Sequence, residues 1–118
     1  MIYTSYFANW RKFPKNKKRI SIARFSPKWA PVDGVAIELA PSADLLKAYK
    51  EERITQAGYI QVFNAETLSV LDPREIYDKY DECVLLCYEK TGEFCHRRLV
   101  AMWLQNAVGE AAPEIGVD

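Results

Sequence analysis

Two of the three cysteines, the only histidine and a pair of arginines fall inside twelve residues, Cys87-Tyr88-Glu89-Lys90-Thr91-Gly92-Glu93-Phe94-Cys95-His96-Arg97-Arg98. A thiol next to an imidazole is a route to nucleophilic catalysis. Only the thiolate attacks, a free cysteine with pKa about 8.5 is a few per cent ionised at neutral pH, and a nearby base or helix N-terminus raises that fraction. Cys87 is therefore a candidate nucleophile, His96 its base or orienter, and Cys95 a second thiol of the same cluster. Arg97 and the unpaired N–H groups of a helix start would hold an anionic part of a substrate. Glu89 and Glu93 are candidate proton-transfer groups. A plainer reading stands beside this one: a cysteine in a buried strand is a small hydrophobe, and a lone histidine on an apolar face is a hydrogen-bonded core residue. For Cys83 the plainer reading is taken.

These groups act together only if secondary structure holds them together. Cys83–Tyr88 is nearly continuous in apolar residues, as a central parallel strand should be. Phe94–Val108 reads as the longest helix. Projected at 100° per residue, its buried face carries Leu99, Val100, Trp103, Leu104 and Ala107, with His96 at the middle of that face. Cys95 and Arg97 fall on the two flanks, and Arg98 points away. The connection Tyr88–Gly92 is short, so His96 is aimed at the sheet near the end of the strand that finishes with Cys87. A strand-to-helix turn of this kind is where α/β proteins build sites.

Metal and phosphatase chemistry fit less well. Cys83 and Cys87 lie about 13 Å apart on one strand, too far for both to reach one zinc ion. Of Cys87, Cys95 and His96, the adjacent last two project in different directions along a helix, so no metal site is expected. Cys-X5-Arg is missing, because Glu93 and Ala101 stand six residues after Cys87 and Cys95. No glycine-rich nucleotide loop is present, and no cofactor is identified.

The remaining elements follow from local signals. Ile2–Phe7 and Ile20–Phe25 are β-branched and aromatic runs and read as strands, as do Val35–Leu39 and Gly58–Phe63. Ser42 caps a helix over Ala43–Glu52, with Leu45, Leu46 and Tyr49 as its apolar stripe. Asp72-Pro73-Arg74-Glu75 is a capping signal for a helix over Arg74–Tyr80. Strands alternating with helices predict a single three-layer α/β domain over residues 1–108, with a small, mainly parallel sheet flanked by helices. The last ten residues, 109–118, are expected to fray.

At 118 residues the chain is one domain with room for a real core. No apolar run approaches the roughly 20 residues that span a bilayer, and no signal-peptide pattern opens the chain. Three cysteines, an odd number, argue for free thiols in a reducing cytoplasm. The zero net charge hides an asymmetry: residues 1–30 hold eight basic and no acidic residues, leaving −8 on the rest. Six of the eight lie within Arg11–Arg19. That loop either balances the acidic remainder in solvent or holds a phosphate-bearing ligand or nucleic acid.

Val84-Leu85-Leu86-Cys87-Tyr88-Glu89-Lys90, followed by Phe94-Cys95-His96-Arg97, resembles the signature of the family known as domain of unknown function 488. The likeness extends to Tyr3-Thr4-Ser5-Tyr6-Phe7, Leu39-Ala40-Pro41-Ser42 and Tyr49-Lys50, and so covers roughly Ile2 to Leu104. The resemblance implies a bacterial or phage α/β protein of uncharacterised activity. Its recurring positions match Cys87, Glu89, Cys95, His96 and Arg97, with Thr4 and Ser5 in the matching first strand as ligand contacts. Longer members resemble an Asp-Val-Arg pattern after the second strand. Here Ile22-Ala23-Arg24 keeps the arginine and lacks the aspartate, which leaves Arg24 a candidate anion contact.

Three functions compete. The first is a cysteine-dependent enzyme acting on a nucleotide, nucleic acid or other phosphorylated ligand at the Cys87/Cys95-His96-Arg97 junction. The second is a non-catalytic anion-binding or nucleic-acid-binding module. The third is a redox-responsive or metal-responsive protein.

Overall fold

The computed structural model describes residues 1–90 and 92–116. Among the described residues, four strands form one parallel sheet: β1 (Tyr3–Tyr6), β2 (Lys18–Ser21), β3 (Gly34–Val35) and β4 (Cys83–Cys87), in the order β1-β4-β2-β3. β4 is central and buried along its whole length, which is why its sequence shows no polar alternation. Its side chains still alternate between faces. Val84 and Leu86 pack with Phe7, Phe13, Ala23 and Ala30 on one face. Cys83, Leu85 and Cys87 join the larger core on the other.

Helices α1 (Ala43–Lys50), α2 (Gln56–Glu66), α3 (Pro73–Lys79) and α4 (His96–Val108) all bury residues in that larger core. The opposite face is covered by a 3-10 turn over Phe7–Lys12 and irregular chain. The domain is thus α/β with three layers, and its α-helices gather on one side. Local capping starts three of them. Ser42 Oγ accepts from Leu45 N at 3.1 Å, Thr55 Oγ1 from Gly58 N at 3.0 Å, and Asp72 Oδ1 from Arg74 N at 2.9 Å with Pro73 at the first position. α4 ends at Gly109, whose φ of 84° suits a residue without Cβ. Among the described residues, no helix is long and apolar enough to cross a membrane.

Several expected elements differ. Gly58–Phe63, read as a strand, is the middle of α2. The Thr55 cap and the i, i+4 pair Tyr59 and Phe63, both buried in the helical layer, outweigh the β-forming composition. The strand read at Ile20–Phe25 begins two residues earlier and ends four residues earlier, at Lys18–Ser21, because pairing with β4 sets its register: Lys18 stands opposite Cys83 and Ser21 opposite Leu86. After Ile22 the Ser21 hydroxyl captures Ala23 N and the ladder ends. Of Val35–Leu39 only Val35 is strand, and Ile37–Leu39 is a 3-10 turn.

The tail, expected to fray, is docked through Gly116. Thr4 N donates to Pro113 O and Ile115 N to Thr4 O, both at 2.9 Å, so Glu114 bridges in parallel to β1. The outer edge of β1 is thereby covered, which removes an exposed row of backbone donors and acceptors.

Candidate functional site

β4 ends at Cys87, level with Tyr6 at the end of β1 and one residue beyond the end of β2 at Ser21. α4 begins at His96, with Cys95 as its extended N-cap residue (φ −149°, ψ 143°). That two-residue shift from the helix start expected at Phe94 matters. An extended Cys95 and a helical His96 turn their side chains toward one place, where two adjacent helical residues would diverge. Cys87 Sγ, Cys95 Sγ and a ring nitrogen of His96 lie within 4.8 Å of one another, all on buried residues. The objection raised from sequence, that Cys95 and His96 project apart, does not hold.

Cys87 and Cys95 form a disulfide, and Cys83 is a free, buried thiol. The expectation of three free thiols is corrected for the pair that the turn brings together. Burial raises the pKa of Cys83, fitting its structural role. His96 is 7% exposed, and its Nε2–H donates to the Ile22 carbonyl at 2.6 Å. Because a carbonyl only accepts, the proton belongs on Nε2 and Nδ1 keeps its lone pair, 3.9 Å from Cys95 Sγ. Burial, with a smaller push from the Arg97 charge, lowers the His96 pKa to about 4, despite the opposing hydrogen bond to Ile22. The ring is neutral at physiological pH.

Arg97 departs furthest from expectation, being 0% exposed. The buried face of α4 is His96, Arg97, Val100, Ala101 and Leu104, rotated toward Arg97 by roughly 60° from the projected stripe. Ala107, placed on that stripe, is exposed. The guanidinium donates to Cys87 Sγ at 2.9 Å and to Glu89 O at 2.6 Å. Its other side holds the Glu114 carboxylate through Nε and NH2 at 2.9–3.1 Å. Burial alone would raise the Glu114 pKa, but hydrogen bonds from Arg97 and Thr4 and the charges of Arg97 and Arg98 hold it below the usual range. Arg97 is thus a clamp already filled from within the chain. Thr4 Oγ1 donates to the same carboxylate at 2.8 Å and Ser5 Oγ to Ile115 O at 2.8 Å, so both hydroxyls hold the tail.

A cavity of about 240 Å³ opens beside Cys95 and His96. Tyr49, Tyr59 and Phe94 form part of its wall and contact one another with ring centroids 5.2–5.6 Å apart. Arg24, Lys50 and Glu89 also line it. Arg24 is fixed by donation from Nε to the Pro41 carbonyl at 3.0 Å. Burial, followed by the charges of Glu89 and Tyr49, pushes the Tyr59 pKa up, so its hydroxyl stays protonated.

The family model described as the active DUF488-N3 subclade (DUF488-N3a) matches residues 4–108. The chain belongs to this family. No curated protein and no solved structure matches it. The DUF488 signature seen in the sequence is the segment that builds this junction. The structure brings Cys87, Cys95, His96 and Arg97 together, with Arg24 and Glu89 at the adjoining cavity.

The basic loop of this DUF488-N3 chain lies elsewhere. Lys18 opens β2 opposite Cys83, at the amino end of the sheet, whereas the cysteine pair sits at the carboxyl end. Lys17 pairs with Glu82 at 3.2 Å, and the Arg19 guanidinium donates to Trp10 O at 3.1–3.2 Å. Among the described residues, none of Arg11–Arg19 lines the cavity. Sequence reasoning passed over Tyr59 because it was assigned to a strand. It passed over Glu114 because a lone carboxylate in a Pro/Gly-bearing tail carries no local signal. Tyr49, Lys50 and Phe94 stood within the resembling segments, but none was expected to line a site.

Proposed function

We propose that this DUF488-N3 protein is a cysteine-dependent enzyme acting on a nucleotide or another phosphorylated ligand that carries a planar ring. One observation carries the reading: Cys95 and the neutral His96 form the floor of a cavity whose walls are aromatic and whose lining includes Arg24 and Lys50. Aromatic walls accept a flat heterocycle, and the two cations suit a phosphate. The matching family model is described as an active subclade, a description in keeping with an enzyme.

Cys95 takes the role first considered for Cys87, because Cys95 lines the cavity while Cys87 sits behind it against Arg97. The reaction begins from the reduced pair. An external dithiol supplies two electrons and two protons to open the disulfide, and a reducing cytoplasm provides that condition. Cys95 Sγ then bonds to the electrophilic centre of the ligand as its proton passes to His96 Nδ1. The leaving group departs with that proton. Water, deprotonated by Glu89, hydrolyses the sulfur-linked intermediate and restores the thiol. Arg97 favours negative charge on the neighbouring Cys87 sulfur and positions the pair.

Reduced protein titrated calorimetrically with AMP, GMP, CMP, UMP and inorganic phosphate tests the ligand class. At least one nucleotide is expected to bind, with affinity falling about tenfold or more in Arg24→Ala as a charge-assisted contact is lost. Turnover of the bound nucleotide, followed by mass spectrometry, should vanish in Cys95→Ser. Binding of none of the five probes, or turnover that survives Cys95→Ser, counts against the reading.

A further inference from the structure

Cysteine nucleophilic chemistry uses one sulfur at a time, yet three buried donor atoms converge below the cavity. Cys87 Sγ, Cys95 Sγ and a nitrogen of His96 lie within 4.8 Å of one another. A tetrahedral Zn²⁺, with bonds of about 2.3 Å to sulfur and about 2.0 Å to nitrogen, spaces its ligands about 3.5–3.8 Å apart. Opening the sulfur–sulfur bond lets the two sulfurs move apart to that spacing, while Cys95 Sγ and His96 Nδ1, 3.9 Å apart, already lie close to theirs.

The surroundings are those of a metal ligand set. His96 Nε2–H is anchored on the Ile22 carbonyl at 2.6 Å, which turns the Nδ1 lone pair toward the sulfurs. Ligating histidines almost always fix their second nitrogen in this way. The Arg97 NH1 donates to Cys87 Sγ at 2.9 Å, the contact that steadies a bound thiolate. Charge also balances: two thiolates cancel a dication, and Arg97 is cancelled by Glu114 at 2.9 Å. A buried cluster that is neutral as a whole avoids the cost of an unpaired ion.

From these contacts we infer that the reduced protein holds a thiophilic divalent cation, Zn²⁺ by its ligand chemistry, on Cys87 Sγ, Cys95 Sγ and His96 Nδ1. Three protein ligands leave a fourth position, which faces the cavity that Cys95 and His96 line. Starting from the disulfide, a two-electron reductant (a dithiol or a phosphine) yields two thiols. The cation then releases both thiol protons to solvent and forms two metal–sulfur bonds. The inference goes beyond the cysteine-enzyme reading, since a cation on both sulfurs leaves no thiolate free to attack. The loaded protein is therefore blocked at Cys95.

The test uses the full chain, reduced with a phosphine, stripped by a chelator that is then removed, and titrated with Co²⁺ and Zn²⁺. One equivalent of Co²⁺ with sulfur-to-cobalt charge-transfer absorption is expected, displaced by Zn²⁺. Cys87→Ser, Cys95→Ser and His96→Ala each weaken Zn²⁺ binding by about tenfold or more, while Cys83→Ser leaves it unchanged. X-ray absorption on zinc-loaded wild-type protein needs no variant and should show two sulfurs and an imidazole bound to the metal. No uptake by the reduced, folded wild type, or zinc bound without sulfur, overturns the site. Metal uptake is read without any substrate, so failure of the enzymatic reading leaves this result independent.

Discussion

Arg97 and Glu114 bind each other inside the protein, the arginine fully buried and the glutamate side chain 13% exposed. Such a pair gives little net stability, but removing one member leaves the other charged and without its partner. Arg97→Met and Glu114→Leu should each destabilise the fold by about 3 kcal/mol, measured by urea unfolding. The double variant should recover part of that loss, because no orphan charge remains. Two single losses that add fully in the double variant would show that the residues act separately. The same side chain donates to Cys87 Sγ and Glu89 O, so Arg97 joins the cysteine turn to the tail.

At the scale of the element, α2 is the clearest conflict between local preference and packing. Tyr59-Ile60-Gln61-Val62-Phe63 is β-forming in composition, yet it lies in a helix whose Tyr59 and Phe63 enter the core. Gly58 sits in the first turn. A Cβ there would lie 2.7 Å from Ile54 Cγ1, an atom near the base of its side chain that cannot simply swing away. Helix propensity favours alanine over glycine by about 1 kcal/mol. Overpacking costs about 1–3 kcal/mol and should win, so Gly58→Ala is expected to lower the midpoint of thermal unfolding. A raised midpoint would mean that the Ile54 contact is soft and propensity decides.

On the scale of the whole molecule, the tail closes the β1 edge and supplies the counter-charge of the site. Its docking should depend on acid. The folded Glu114 pKa is depressed below the ordinary 4.5, so its contribution is fully present above about 4.5 and is lost as pH falls through the lower folded value. Amide exchange at Ile115, whose N–H donates to Thr4 O, reports this directly. Protection should drop on acidification in the wild type. In Glu114→Gln it should be weaker throughout and lack that acid step; an unchanged acid step in the variant would assign the effect to another group.

The central strand, the capped helices α1 and α3 and the approach of His96 to Cys87 were legible because each rests on a local signal: an apolar run, a capping residue, a short connection. The sequence by itself determined the α/β class and the place of the junction. The tertiary structure decided which groups face the cavity. β2 took its register from β4, the start of α4 fell at His96 so that Cys95 turned inward, and a distant carboxylate drew Arg97 into the core. The basic loop, prominent in the sequence, ended at the opposite end of the strands. Those outcomes depend on pairing and burial between segments far apart in the chain. Periodicity and capping report only neighbours within a few residues, so no local pattern could carry them.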